Sequence, residues 1–74
     1  MLNTRDVARD LLYGHLDVSY LVDNIQFLKD VDNSILRLVK EEDAWGDLVV
    51  SRKRKLLMNK IEKLSSKEVD SDDE

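Results

Sequence analysis

The sequence predicts an all-α protein, and three observations carry that prediction. Proline is absent and only two glycines interrupt 74 residues. Apolar residues recur at spacings of three and four rather than two, and no Asn-Gly or Asp-Gly pair marks a hairpin. The expected architecture is two short helices packed on the first half of a long third helix, bent at Gly46 if it is bent at all, with residues 1–64 forming the domain. A compact four-helix bundle, formed if the chain folds back at Gly46, is the alternative.

Asn3 is placed to cap a first helix over 4–13. Its side-chain oxygen can accept a bond from a first-turn N–H, Asp6 falls near the positive end of the helix dipole, and Leu2 and Val7 occupy the positions of a hydrophobic staple. Val7, Ala8, Leu11 and Leu12 make the buried stripe. Gly14 supplies the left-handed residue that ends the helix without a Cβ penalty. Asp17 is the expected cap of a second helix over 18–29, with Val18, Leu21, Val22, Ile25 and Leu28 on one face and Tyr20 and Phe27 flanking it. The polar cluster Asp30, Asp32, Asn33 and Ser34 should end that helix, because short polar side chains compete for backbone donors. Ser34 or Asn33 then caps the next.

From Ile35 onward, Ile35, Leu38, Val39, Trp45, Val49, Val50, Leu56, Leu57, Ile61 and Leu64 fall in one sector of a continuous helix, and the phase survives Gly46-Asp47. A glycine inside a helix costs only about 1 kcal/mol relative to alanine. These points favour one helix of roughly 46 Å over a split into 34–45 and 48–64. Two earlier helices of roughly 15–18 Å cannot cover it. Trp45, Val49, Val50, Leu56, Leu57, Ile61 and Leu64 are therefore expected to form an interface with a second chain, since burying each large side chain is worth about 1.5–3 kcal/mol. The aromatic residues Tyr13, Tyr20, Phe27 and Trp45 are read chiefly as core packing, and Trp45, at the junction of the covered and uncovered halves, can serve as an interface anchor as well.

Charge is strongly segregated. Residues 1–47 carry five basic and ten acidic side chains, residues 48–67 carry seven and one, and residues 68–74 carry none and five. A cationic helix on a chain of net charge −4 points to a local anionic partner: nucleic acid, an acidic protein surface, or the chain's own tail. Arg52, Lys55, Asn59 and Lys63 line one flank of the helix at spacings of three and four, suited to tracking phosphates or an acidic groove. Lys53 and Lys60 fall inside the apolar sector, where their alkyl stems can pack while the ammonium groups reach the rim.

Nothing in the sequence assembles a reaction centre. With no cysteine, disulfides and thiolate metal sites are excluded. The single histidine, His15, lies in the Gly14–Leu16 connector without a second His or an orienting partner, and reads as a surface or capping residue. Asp6 with Asp10, and Glu41, Glu42 and Asp43, have the spacing of helix-surface charges and match no calcium-loop or His-containing metal motif. The expectation is no catalytic residue, no metal, no cofactor and no small-molecule substrate. No apolar run exceeds three residues, far short of the roughly 20 that span a bilayer, so a soluble intracellular protein is expected, with cytoplasm and nucleus both open.

The last ten residues contain one apolar side chain, Val69, and read as a disordered acidic tail over 65–74. Ser71, ahead of Asp72, Asp73 and Glu74, suits an acid-directed kinase, and carboxylates tethered beside the cations could occupy the basic flank in competition with a partner. Taken together, the residues point to a non-enzymatic helical interaction protein, a homo-oligomer or an adaptor regulating a larger complex, acting through the apolar stripe and its basic flank. The alternative is a dimeric nucleic-acid-binding regulator whose basic helix, 52–67, contacts phosphates.

Overall fold

A computed structural model describes residues 3–73, with side chains placed for residues 3–66. Three helices and one 3-10 turn follow in order: α1 Thr4–Tyr13, the turn Val18–Tyr20, α2 Ile25–Glu42 and α3 Asp47–Asp73, with no strand among the described residues. The fold is all-α, as the apolar spacing requires.

In α1 the local signals decide everything. The Asn3 side chain accepts from the Arg5 N–H at 2.9 Å. Gly14 sits at φ 86°, and the N–H groups of Gly14 and His15 donate to the Leu11 and Asp10 carbonyls at 3.2 and 2.9 Å. Those two bonds satisfy the orphan carbonyls of the last turn, an arrangement that needs a left-handed residue at this point. Val7, Ala8, Leu11 and Leu12 are buried.

The second helix departs from the sequence reading in both bounds. Asp17 makes no side-chain cap, the helix it heads is only the 3-10 turn Val18–Tyr20, and Leu21 is extended. The true cap is Asn24, whose side chain accepts from the Phe27 N–H at 3.1 Å. Of the face assigned to a helix over 18–29, Val18, Leu21 and Leu28 are buried, whereas Val22 is 60% exposed. An irregular connector can bury residues three apart, as a helix would, without being one, and here it does.

The polar cluster at 30–34 does not stop α2, and Asp30, Asp32 and Ser34 find side-chain partners. Asp32 accepts from Arg54 Nε at 2.9 Å and from Nη2 at 3.3 Å. The Ser34 hydroxyl donates to Thr4 Oγ1 at 3.1 Å, and Gln26 reaches Asp30 one turn on at 3.1 Å. Side chains engaged in this way no longer compete for their own backbone, so neither Ser34 nor Asn33 caps a helix.

The continuous helix from 34 to 64 does not form. α2 ends at Glu42, Asp43 takes the left-handed conformation at φ 48° and ψ 39°, and its N–H donates to the Val39 carbonyl at 3.1 Å. The Gly46 carbonyl accepts the first bond of α3, from the Val50 N–H at 3.1 Å. Gly46 itself has no positive φ, so the left-handed residue of this break is Asp43. The chain reverses between them: Asp32 meets Arg54 and Asp23 meets Lys60, pairs that straddle the turn. α2 and α3 are thus an antiparallel hairpin. α1 lies across it, from Thr4 beside Ser34 to Tyr13 beside Trp45, tied at the rim by Arg5–Glu41 and Arg9–Glu42. The core draws on every element through residues such as Leu11, Leu21, Leu28, Ile35, Leu38 and Leu57.

Candidate interaction surface

α3 presents two faces, one buried and one exposed. Leu57 is fully buried and Ile61 nearly so, while Val50 and Leu64 pack partly against the same core. These four of the seven residues assigned from sequence to an interchain interface face the chain's own hairpin. The premise of a stripe without intrachain cover fails with the long helix that implied it. Trp45 sits half-buried in the link between α2 and α3, its ring edge on Tyr13 at a centroid distance of 5.1 Å. Its indole N–H is buried with no hydrogen-bond partner. Trp45 is therefore occupied in closing the end of the bundle.

The cations of the helix divide in the same way. Arg54, whose position would otherwise be apolar, reaches inward to Asp32, and that hydrogen bond raises the guanidinium pKa above its ordinary value. Lys60, with little of its side chain exposed, reaches Asp23 at 3.1 Å. Lys53 is half-buried. Arg52, Lys55, Asn59 and Lys63 are all exposed, and among the described residues no ion pair engages Arg52, Lys55 or Lys63. The four flank residues chosen from their spacing do share one outward face.

Apolar residues share it with them. Leu48 is 77% exposed, Leu56 43% and Val49 42%; stepping about 100° per residue places them among Arg52, Asn59 and Lys63. From Leu48 to Ile61 the helix contains no acidic residue at all. Two depressions open along this face. A smaller one of about 210 Å³ is lined by Leu48, Val49, Arg52 and Lys53. A larger groove of about 690 Å³ runs between α3 and the 3-10 turn, with Val18, Ser19, Leu56, Asn59 and Ser66 in its walls together with two cations, Lys60 and Lys63, and two carboxylates, Asp17 and Glu62. The surface that emerges is apolar and cationic from Leu48 to Asn59 and of mixed charge at the groove, where Asp17 and Glu62 join Lys60 and Lys63. Leu48, Val18 and Ser19 were not among the sequence candidates. Leu48 lay outside the apolar sector, and the connector's return onto α3 leaves no periodic trace.

Away from α3, His15 is exposed and stacks on Tyr13 at 6.0 Å. Among the described residues no group of three His, Cys, Asp or Glu side chains converges as a metal site, and no helix is long and apolar enough to cross a membrane. Ser65 and Ser66 continue α3 as exposed residues. The rest of the segment read as a disordered acidic tail, including Ser71, lies outside the described side chains. No protein-family model, curated protein or solved structure matches the chain.

Proposed function

We propose that this is a non-enzymatic helical interaction protein of the cell interior whose docking surface is the outward face of α3. The observation that carries the reading is the exposure of Leu48, Val49 and Leu56 among cations, Arg52, Lys55 and Lys63, that enter no ion pair among the described residues. A core already closed by Leu57 and Ile61 has no use for these leucines, and apolar side chains clustered beside shallow pockets are what a partner would bury. The surface belongs to Leu48, Val49, Arg52, Lys55, Leu56, Asn59 and Lys63; Trp45, Val50, Leu57, Ile61 and Leu64 support it from beneath. The occupant is another polypeptide, either a second copy or a member of a larger complex.

Paired substitution of Leu48→Asp and Leu56→Asp tests this. The double variant should melt like the wild type, because neither side chain is part of the core, yet lose self-association by light scattering or binding to a partner helix. The nucleic-acid alternative draws on the exposed row Arg52, Lys55 and Lys63, and expects the opposite pattern. Retention on duplex DNA would then fall steeply with salt, depend on those three cations and ignore both leucines. That outcome would displace the protein-docking reading.

A further inference from the structure

We infer that the outward face of α3 receives an acidic amphipathic helix from another protein, one that carries two large apolar side chains three turns apart with carboxylates between and beside them. The inference rests on the docking role proposed above and specifies its occupant.

Charge complementarity is the first argument. Between Leu48 and Ile61 the helix offers the partner only cations, apolar side chains and Ser, Asn or Met. Basic and neutral-polar partners would leave Arg52 and Lys55 facing like charge or nothing, whereas carboxylates meet both. In the groove Asp17 and Glu62 accompany Lys60 and Lys63, so the preference for an acidic partner comes from the Arg52–Lys55 end of the face. Spacing is the second. On α3 the lining of the smaller depression spans residues 48–53 and that of the groove residues 56–66, so the centres of the two spans fall near residues 50–51 and 61. Those centres lie about ten residues apart, or roughly 15 Å of helix. A partner helix returns to the same face after eleven residues, about 16 Å, which matches the two depressions with one side chain each. Arg52 is in the wall of the smaller depression, Lys55 stands between the two, and Lys63 lines the groove along with Glu62 and Asp17, so the carboxylates belong beside the first anchor and between the two.

Shape is the third argument. An anionic membrane would also take up leucines and cations, but a bilayer has no use for two depressions at helical spacing, one of them walled by the connector at Val18 and Ser19. Nor does the chain supply its own ligand: its acidic end, residues 68–74, contains Val69 as its single apolar residue, and one anchor cannot fill both sites.

The test is an amide NMR titration of the full chain with synthetic helical peptides. One carries two leucines eleven residues apart and glutamates flanking them. A second has the leucines three residues apart at equal composition. A third replaces every Glu by Lys. The first peptide should bind, with shift changes confined to residues 48–63 and to Val18 and Ser19. The second should bind at least about fivefold more weakly, and the third not measurably. Replacing Arg52 and Lys55 by Glu should weaken the first peptide by about tenfold and restore binding of the third. Melting curves establish that the variant is folded. Equal affinity for the first two peptides, or shift changes on another surface, would overturn the inference. So would binding only to anionic vesicles or duplex DNA. Binding of an uncharged amphipathic helix through Leu48 and Leu56, with no preference for the acidic one, would reject the acidic partner while keeping the docking role. A wild-type chain that binds none of the peptides and does not self-associate would remove both.

Discussion

Asp32 and Arg54 show how a single pair of residues can fix the register of a hairpin. Asp32 is 8% exposed and lies midway along α2, and its two oxygens take both bonds of the Arg54 fork. Removing the carboxylate alone should cost about 1–3 kcal/mol, less than a fully buried pair would, because the Arg54 side chain remains partly in water. Replacing both at once, Asp32→Leu with Arg54→Met, should come back to within about 1 kcal/mol of the wild type, since an apolar pair of similar volume avoids the desolvation cost. Urea melts of the two single variants and the double decide it; an Asp32→Ala protein as stable as the wild type would show that the pair is ornamental. The raised pKa of Arg54 means its contribution is complete below the ordinary arginine range and is lost only as pH rises through that higher value. No change in stability near neutral pH should come from it. The orphan indole N–H of Trp45 makes a second residue-level prediction. Trp45→Phe loses no hydrogen bond and should cost less than about 1.5 kcal/mol, whereas Trp45→Ala, which opens a hole beside Tyr13, should cost about 3. Asp32 was misread from sequence for a physical reason: a short acidic side chain in mid-helix is a breaker unless something distant satisfies it, and the satisfying group lies 22 residues away.

At the scale of elements, what was legible is what is local. α1 could be placed from its cap, stripe and terminal glycine because each signal acts within four residues of itself. The α2–α3 break was hidden because the linking residues 43–46 number four, close to one turn of helix, so the apolar spacing across them imitates an uninterrupted period. The connector 18–24 was hidden because Val18 and Leu21, three apart, obey a helical rule while lying on a 3-10 turn and an extended residue. Substitutions at the breaks expose the difference. Gly14→Ala forces a Cβ into φ 86° and should destabilise by about 1–2 kcal/mol. Asp43→Gly relieves the same conformation and should gain several tenths of a kcal/mol in thermal melts, and Asp43→Val should lose more than 1, by the same steric argument. Gly46 heads α3 with open space around it. A capping side chain there should help by a few tenths of a kcal/mol in Gly46→Asn, and Gly46→Ala should lose about 0.5–1. A gain from alanine instead would mean that the helix runs through.

The whole molecule depends on one helix serving two surfaces. Sequence reasoning grouped Val49, Val50, Leu56, Leu57, Ile61 and Leu64 into one stripe, omitted Leu48 and gave the stripe a single duty, because a periodic stripe does not say which chain covers it. Only the fold-back of α2 on α3 assigns Leu57 and Ile61 inward and leaves Leu48 and Leu56 outward with Arg52, Lys55, Asn59 and Lys63. A substitution at Leu57 would dissociate a dimer if the stripe were an interface between chains; with Leu57 in the core it is expected to unfold the single chain. The most direct measurement is a side-by-side thermal melt of Leu56→Asp and Leu57→Asp, followed by far-UV circular dichroism. Leu56→Asp should lie within about 0.5 kcal/mol of the wild type, as surface substitutions do. Leu57→Asp should lose at least about 3 kcal/mol, most of what a domain of this size possesses, since it sets an unpaired carboxylate in the centre of the core. If the two melt together, or if Leu56→Asp is the one that unfolds, the division of α3 into a core face and an exposed face is wrong.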